Sequence, residues 1–545
     1  MLPSAGEEHG ILGKQPMAET GGGDRSEGTE VRDKKTGGGN LEEHMVGNEM
    51  GTTGKNLRRD RAPLYEKLIA CRNANLASFH VPGHKSGNGL DPAAYDVFRS
   101  VMSIDLTEIT GLDDLYHPTG VIAEAQQLAA DCFGAEESYF LVNGSTVGNL
   151  AMILSVCDRD DLILVQRNVH KSVLHGLMLA GARAVFLPPR WDKESGIATG
   201  VDPADVREAL RLYPGAKALL ITNPNYYGMS VDIRPIAELM HAHGKPLLVD
   251  EAHGAHFGFH PAFPPSALSC GADAVVQSTH KMLTAMTMGA MLHVQGGRIN
   301  RMLLRQRIGM LQSSSPSYPI MASLDLSRRQ LHMLGASAFE EGLAAAGALV
   351  AGLKKLARFQ IVEAGPDSAY DMQDPFKVAV RDAAGSLSGF ALQRELEQRG
   401  CMTEMADPQH VLLVFTMGST RGDSEKLLNA FAEIGSLGPD RSPRKKSVTV
   451  PGEAPIRQIS APIPMRMNVP GASPFSENGP GIRKVMIREA AGHISAEMVI
   501  PYPPGIPVLF PGERIAPDVV RYLEDLLSCG ARFQGTQDGT IRVIV

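Results

Sequence analysis

The chain is poor in cysteine. Its six (Cys71, Cys132, Cys157, Cys270, Cys401, Cys529) are scattered and form no CxxC pair. A disulfide framework is therefore not expected, and free, mostly buried thiols in a reducing compartment are. Long apolar runs are missing too. The longest small-apolar stretch, Gly342–Leu353, lies between Glu340-Glu341 and Lys354-Lys355 and reads as a core helix, so no membrane span is expected. No GxxxxGK[ST] loop surrounds the GK pairs at Gly13, Gly54 and Gly244, so the DEAH string at Asp250–His253 is not a helicase box. The HGAH string puts His253 and His256 at a spacing other than HExxH, with no further ligands nearby in sequence, and no metal is expected. Residues 1–60 hold thirteen glycines and no Phe, Tyr or Trp. They cannot bury enough apolar surface to offset their ordering entropy, and a disordered tail over 1–61 is the expectation. That tail lacks the charged-then-apolar layout of a secretory signal, and Glu7, Glu8, Glu19 and Asp24 are too many acids for a transit peptide. The cytoplasm is the expected compartment, with organellar targeting by the tail left open.

What is present belongs to a globular chain of several domains: 545 residues, 43% hydrophobic and 21% charged. A net charge of −7 speaks against nucleic acid or a membrane surface as partner. Order is expected to begin with a helix near Ala62–Leu76. From Val121 to Phe133 the apolar positions recur at helical spacing, and SYFLVNGST (Ser138–Thr146) reads as strand, turn and helix start. Strand and helix patterns then alternate: Asp161–Gln166, a helix stopping at Gly181, AVFLPP, a helix around Pro203–Leu212, Ala218–Gly228, a helix at Ile233–His243, and Leu247–His256. Such alternation means βαβ units and a mainly parallel, doubly wound sheet. Beyond Leu331 a long helix-like region runs to Leu356 and a smaller α+β domain follows. Gly438–Pro455 reads as a linker, and the proline-rich Ile500–Glu513 fits neither a regular helix nor a central strand. The expected divisions are a tail at 1–61, a major domain at 62–330, a small domain at 331–437, a linker at 438–460 and a C-terminal domain at 461–545.

The chemistry concentrates in LLVDEAHGAH (Leu247–His256) and VVQSTHKML (Val275–Leu283), each an apolar strand ending in polar residues. Open parallel sheets bind ligands at the carboxyl ends of their strands, where Asp250 and Lys281 would sit. A lysine able to form a Schiff base, and an acid to keep a pyridine nitrogen protonated, suit pyridoxal phosphate. The NGST turn offers hydroxyls and a helix N-terminus to a phosphate, although taken alone most such strings are capping turns. In HVPGHK the turn forced by Pro82-Gly83 keeps His80 and His84 off one helix face.

FHVPGHKSGNG, DLTEITGLDDLYHPTG, NGSTVGNLAM, NVHKSVLHG, TNPNYYG, DEAHGAHFGFH, QSTHKMLTAMT and IPYPPGIPVLFPGE occur in this order over roughly residues 62–545. Together they resemble the pyridoxal-phosphate-dependent ornithine/lysine/arginine decarboxylases, most closely the short members without an N-terminal receiver-like domain. The resemblance implies an α/β chain of PLP fold type I: a major domain with a mainly parallel, seven-stranded-type sheet and smaller α+β C-terminal domains. It implies that Lys281 carries the cofactor, Asp250 pairs with the pyridinium nitrogen and His170 lies over the ring. Ser145 and Thr146, helped by Ser278 and His280, would hold the phosphate. Thr222 or Asn223 would reach the ring hydroxyl, and His253 would lie near the ring or the reacting carboxylate. The hydroxyls of Gln312–Pro319, Ser314 among them, resemble a segment that a neighbouring subunit lends to the phosphate, which implies a homodimer or higher homo-oligomer with shared sites. TAMTMGAM replaces a Thr-Gln or Ser-Gln element found in many relatives, at a place that bears on local packing.

The implied activity is that of a lyase, an amino-acid decarboxylase of polyamine metabolism. A basic amino acid (arginine or lysine, ornithine less) would lose its carboxylate, and Lys281 or His280 would reprotonate Cα. Asp113, Asp114 and Glu489 are the candidate acids for the substrate's distal cation. Aminotransfer or elimination on the same fold, or a catalytically silent relative, are the competing readings. Intact Lys281, Asp250 and His170 weigh against the last.

Overall fold

The computed structural model describes residues 57–74, 76–436, 458–466, 481–502, 505–528, 530–535 and 539–544. The expected tail (apart from 57–61) and the expected linker (apart from 458–460) lie outside these residues, as do Pro503 and Pro504 of the proline-rich string.

Helices α1 (Pro63–Asn73), α2 (Tyr95–Met102) and α3 (Val121–Phe133) lead into strand β1 (Glu137–Leu141) and helix α4 (Gly144–Val156). Then alternate β2 (Leu162–Gln166), α5 (Lys171–Ala180), β3 (Arg183–Leu187), a hairpin of β4 (Pro189–Asp192) and β5 (Ile197–Val201), α6 (Pro203–Leu212), β6 (Leu219–Thr222), β7 (Met229–Ser230), α7 (Arg234–Ala242), β8 (Leu247–Asp250), β9 (Ala274–Gln277), the short α8 (Thr279–Met282) and β10 (Ala290–Val294). Helices α9 (Arg301–Leu311), α10 (Tyr318–Leu334) and α11 (Glu340–Leu353) complete this part. The small domain is β11 (Phe359–Ile361), β12 (Met372–Gln373), β13 (Lys377–Asp382), α12 (Gly389–Gln398), β14 (Met405–Ala406), β15 (His410–Val414) and α13 (Arg421–Ser436). After β16 (Ile463–Pro464), the C-terminal part carries β17 (Ile482–Met486), β18 (Ile494–Ser495), β19 (Ile500–Tyr502), α14 (Pro517–Ser528), β20 (Arg532–Gln534) and β21 (Thr540–Ile544).

Among the described residues the main sheet has eight strands in the order β1-β10-β9-β8-β6-β2-β3-β16. The run β9-β8-β6-β2-β3 is parallel, and β10, β1 and β16 join by antiparallel pairing. The sheet is therefore mixed and one strand wider than expected. Both faces are covered. Leu219 and Ile221 of β6, with Leu247 and Val249 of β8, enter one core, and Leu220 and Leu248 enter the other. Period-two alternation thus feeds two apolar layers at once, which is why these strands read as continuous hydrophobic runs. Helix α4 lies so close to β9 that a Cβ on Gly148 would stand 2.4 Å from Val276 Cγ2. Only glycine lets that helix N-terminus approach the strand that leads to Lys281.

Three expectations change. Helix α10 begins at Tyr318, so the division expected at 330/331 falls inside a helix. Pro319 sits in its first turn, where the missing N–H costs nothing. The helical stretch Tyr318–Leu353 spans 36 residues and is long and apolar enough, by length and composition only, to cross a membrane. The sequence reading placed a long helix-like region from beyond Leu331 to Leu356 and took Gly342–Leu353 as its apolar run; a 3-10 turn at Gly335–Phe339 joins that region to α10. Within this stretch Asp325 and Arg328 pair while fully buried. Finally, Ile463 and Pro464, expected in the C-terminal domain, pair with Ala184 and Arg183 of the main sheet.

The C-terminal part has its own apolar core (Val485, Val499, Leu509, Val520, Leu523, Ile541) and is bolted to the carboxyl end of β2. There the buried Arg167 donates to the carbonyls of Pro507 (2.9 Å) and Val508 (2.8 Å), and to the Glu513 carboxylate. Its guanidinium also lies over the rings of Phe186 and Phe510. The VLFPGE end of the proline-rich string is thus a docking element, held by charge-assisted bonds and two aromatic faces.

Candidate active site

Four parallel strands deliver the candidate residues at their carboxyl ends. Asp250 closes β8, Lys281 stands in the single turn after β9, His170 caps α5 after β2, and Thr222 closes β6. Asp250 is 3% exposed. Its Oδ2 accepts a bond from Asn149 Nδ2 (2.8 Å), and its Oδ1 from the Ala252 N–H (3.1 Å). Asn149 Nδ2 also donates to Ser172 Oγ (3.0 Å), which lies 2.8 Å from His170 Nδ1. One hydrogen-bonded string therefore fixes the acid and the histidine together. Burial pushes the Asp250 carboxyl up, against the Asn149 bond and the Lys281 charge. Burial, then Lys281, hold the His170 imidazole down to about 4, so at neutral pH its ring is uncharged.

Lys281 Nζ lies 3.0 Å from His253 Nε2 and 5.9 Å from the centroid of the Tyr226 ring, which itself packs on His253 with centroids 4.6 Å apart. Burial lowers the proton affinity of Lys281, with Asp250 and Glu404 opposing. The second histidine of HGAH parts company with the first. His256 is fully buried among Phe257, Phe263 and Phe376, with Nε2 3.1 Å from Asp374. The chain reverses at Gly254 between them, so the two rings serve different neighbourhoods.

At the N-terminus of α4, Ser145 Oγ accepts from Ser278 Oγ at 2.7 Å, with Thr146 exposed beside it. A helix N-terminus with a hydroxyl pair suits a dianion, and His280 is half-buried in the turn that follows Ser278. Asn223 does not point where the sequence reading placed it. Its Oδ1 accepts from Val231 N (2.9 Å) and Ser230 Oγ (3.2 Å), so its amide is committed to holding the loop before α7. Thr222 Oγ1, Thr279 Oγ1 and Asn149 Oδ1, by contrast, are buried without a hydrogen-bond partner among the described residues. Such atoms call for a polar ligand. With the partly buried Lys281 and the buried Asp250 carboxylate, these residues fit pyridoxal phosphate, and the unpartnered Thr222 Oγ1 suits its ring hydroxyl better than the committed Asn223 amide.

Ser313–Ser315 are exposed. They are held by Gln312, whose Oε1 accepts from Val142 N (2.8 Å), and by Tyr116, which donates to the Ser313 carbonyl. The three candidate distal acids lie elsewhere. Asp113 accepts the backbone N–H groups of Thr119, Gly120, Ile122 and Ala123 and so caps α3. Asp114 closes a turn onto Tyr116 N (2.8 Å), and Glu489 sits exposed beside Arg488. The acid whose charge acts on Lys281, His280 and Lys377 is Glu404 of the small domain. Sequence reasoning missed Glu404, along with Asn149, Tyr226 and Lys377. An asparagine on the apolar face of α4 and a lysine opening the buried strand KVAVRD were the available signals.

Comparison with known proteins gives the family and the fold. Residues 62–367 match the family model described as Orn/Lys/Arg decarboxylase, major domain, and residues 476–540 match its C-terminal domain. The chain is 44% identical to the uncharacterized protein YaaO of Bacillus subtilis (strain 168), over 87% of this chain and 96% of that one. It is 33% identical to the arginine decarboxylase of the same organism, over 90% and 98%. Among solved structures, lysine decarboxylase A from Pseudomonas aeruginosa superposes with a TM-score of 0.72 at 24% identity, over 89% of this chain and 80% of that one, a likeness of fold.

Proposed function

Because the chain belongs to the Orn/Lys/Arg decarboxylase family, we propose that it removes the α-carboxyl group of a basic amino acid, arginine or lysine ahead of ornithine, in polyamine or diamine metabolism. It is a pyridoxal-phosphate-dependent carboxy-lyase acting on an amino acid. The observation that carries the reading is the meeting of a partly buried lysine and a buried carboxylate at the ends of neighbouring parallel strands. When bound, the cofactor supplies a sink for the electron pair that the departing carboxylate leaves behind. Lys281 would hold it covalently. Asp250, steadied by Asn149, would keep its ring nitrogen protonated, and the neutral His170 would lie over its face. Ser145, Thr146, Ser278 and His280 would bind its phosphate. Lys281 or His280 would return a proton to Cα.

Arginine leads because the relative with which this chain shares a third of its residues end to end is named an arginine decarboxylase. Glu404 is the acid we assign to the substrate's distal cation. It is exposed, lies on the small domain and faces the two lysines. Carbon dioxide release from arginine, lysine and ornithine, compared by kcat/KM with cofactor supplied, tests the function. Arginine or lysine should lead by about tenfold or more, since each methylene of misfit is worth ~1–3 kcal/mol. Glu404→Gln should raise KM for the preferred substrate by a similar factor. Release from none of the three, with transamination or elimination of another amino acid, would overturn the reading.

We also assign this chain to a homodimer with shared sites. Two observations support it: the exposed Ser313–Ser315, and the exposed large apolar side chains of Phe79 (95%), Val97 (72%) and Val81 (66%). Sedimentation followed alongside turnover on dilution should show activity falling with the dimer. A fully active monomer would refute the shared site.

A further inference from the structure

The residue that this function leaves over is Lys377, a lysine 3% exposed at the start of β13. Its Nζ lies 3.4 Å from Nδ1 of His253, while Nε2 of the same ring is 3.0 Å from Lys281 Nζ. Two amines thus hold the two nitrogens of one imidazole. The arrangement is built, because the loop before β7 packs on the lysine stem. A Cβ on Gly228, which has a φ of +79°, would come within 2.7 Å of Lys377 Cβ. Tyr226 covers the imidazole from one side.

Burial, then the two lysine charges, keep the His253 imidazole far below its ordinary proton affinity, so it is neutral. A neutral imidazole has one N–H and one lone pair. Both lysines therefore cannot donate to it as ammonium ions. One gives a hydrogen bond and the other receives one. From this we propose that Lys281, His253 and Lys377 form a relay holding a single mobile proton, with Lys377 as its store. In the step, the Lys377 ammonium gives a proton to Nδ1 while Nε2 gives its own to the free Lys281 amine. Lys281 ends as the ammonium, Lys377 as the neutral amine and His253 as the other neutral tautomer. No proton leaves the group. The charges facing it are Asp374 and Glu404 around Lys377, Asp250 and Glu404 around Lys281, and His170 and His280 beside the ring. Burial brings the Lys377 ammonium down to about 8, so both of its forms are reachable near neutrality. The proposal rests on Lys281 being the cofactor lysine. It adds that Lys281, when released from that link, is protonated from inside the fold, and that Lys377 is a positioning residue acting through His253.

Two measurements test it, and the first needs no cofactor. In the cofactor-free protein, acylation of Lys281 is followed against pH by peptide mapping, and the tautomer of His253 is read from its 15N resonances, assigned by their loss in His253→Gln. Lys377→Met should move the Lys281 labelling midpoint up by about one unit, through loss of the neighbouring charge, and should mix the two tautomers. An unchanged midpoint and an unchanged spectrum would overturn the relay. The second measurement uses the holoenzyme and Lys377→Arg, which keeps the charge and the donor but cannot release its proton. In the cofactor-free variant the labelling midpoint should stay as in the wild type, while in the holoenzyme kcat falls by about 100-fold with KM little changed. Should neither Lys377 variant fold, His253→Gln decides. It bridges the same amines but cannot pass a proton, and a wild-type kcat there overturns the proposal. Failure of Lys281 itself as the cofactor lysine shows up separately, by mapping the cofactor onto another residue.

Discussion

Replacing Lys281 by alanine is expected to abolish turnover while the fold survives. The side chain ends in a desolvated amine hydrogen-bonded to His253, and its removal leaves α8 and the β9–β10 pairing untouched. Removing the amine takes its desolvation penalty with it, which offsets the attraction to Asp250 that is lost. What is lost is the covalent anchor of the cofactor and the amine that handles the proton at Cα. Borohydride reduction of the loaded wild type, followed by peptide mapping, should leave the cofactor on the peptide containing Lys281. In Lys281→Ala, carbon dioxide release from arginine and lysine should be at background, with an unchanged melting curve. Lys377 is the informative alternative, as a buried lysine within reach of the same histidine. Attachment there would invert the assignment.

The second large effect belongs to Asp250. Asp250→Asn removes the negative charge and puts an amide where both carboxylate oxygens now accept N–H groups, from Asn149 and Ala252. Whichever way that amide turns, an N–H meets an N–H, a clash that costs about 1–3 kcal/mol. The electronic loss is greater, since without the carboxylate the ring nitrogen has no reason to stay protonated and the electron sink weakens. A fall in kcat of about a thousandfold, equivalent to about 4 kcal/mol of barrier, is expected, with cofactor absorbance retained. Steady-state rates against cofactor occupancy measure both. Near-normal kcat would place the essential acid elsewhere.

Much of this site can be read from the chain because the ends of parallel strands are local features. Asp250 closes the buried strand LLVD and Lys281 stands four positions beyond the buried strand AVVQ, and the apolar runs mark themselves by composition. The remaining residues come from far away. Asn149 reaches Asp250 across 101 positions and Lys377 reaches His253 across 124, and no periodicity encodes such meetings. Asn223 misled for the opposite reason. It stands beside the site in sequence, yet its amide answers the backbone need of the turn at Ser230–Val231. The β4–β5 hairpin passed unseen because its strands are short and flank the polar string KESG. Domain edges were the least legible part. Helix α10 continues through the division expected at 330/331, since packing and not composition decides where that helix ends.

The two residues of β16 also bear on how these molecules behave in a crowd. Beside them, Met465 N donates to the Ala182 carbonyl (2.8 Å), Ser460 N to the Phe186 carbonyl (3.0 Å), and Phe186 N to Ser460 Oγ (2.8 Å). The outer rim of β3 is therefore consumed, and the strand that consumes it is too short, and too rich in proline, to template another. A chain cut before residue 458 would present that rim bare. Its hazard would be strand-by-strand accretion between copies, a colloidal failure of a molecule whose catalytic residues are all still in place.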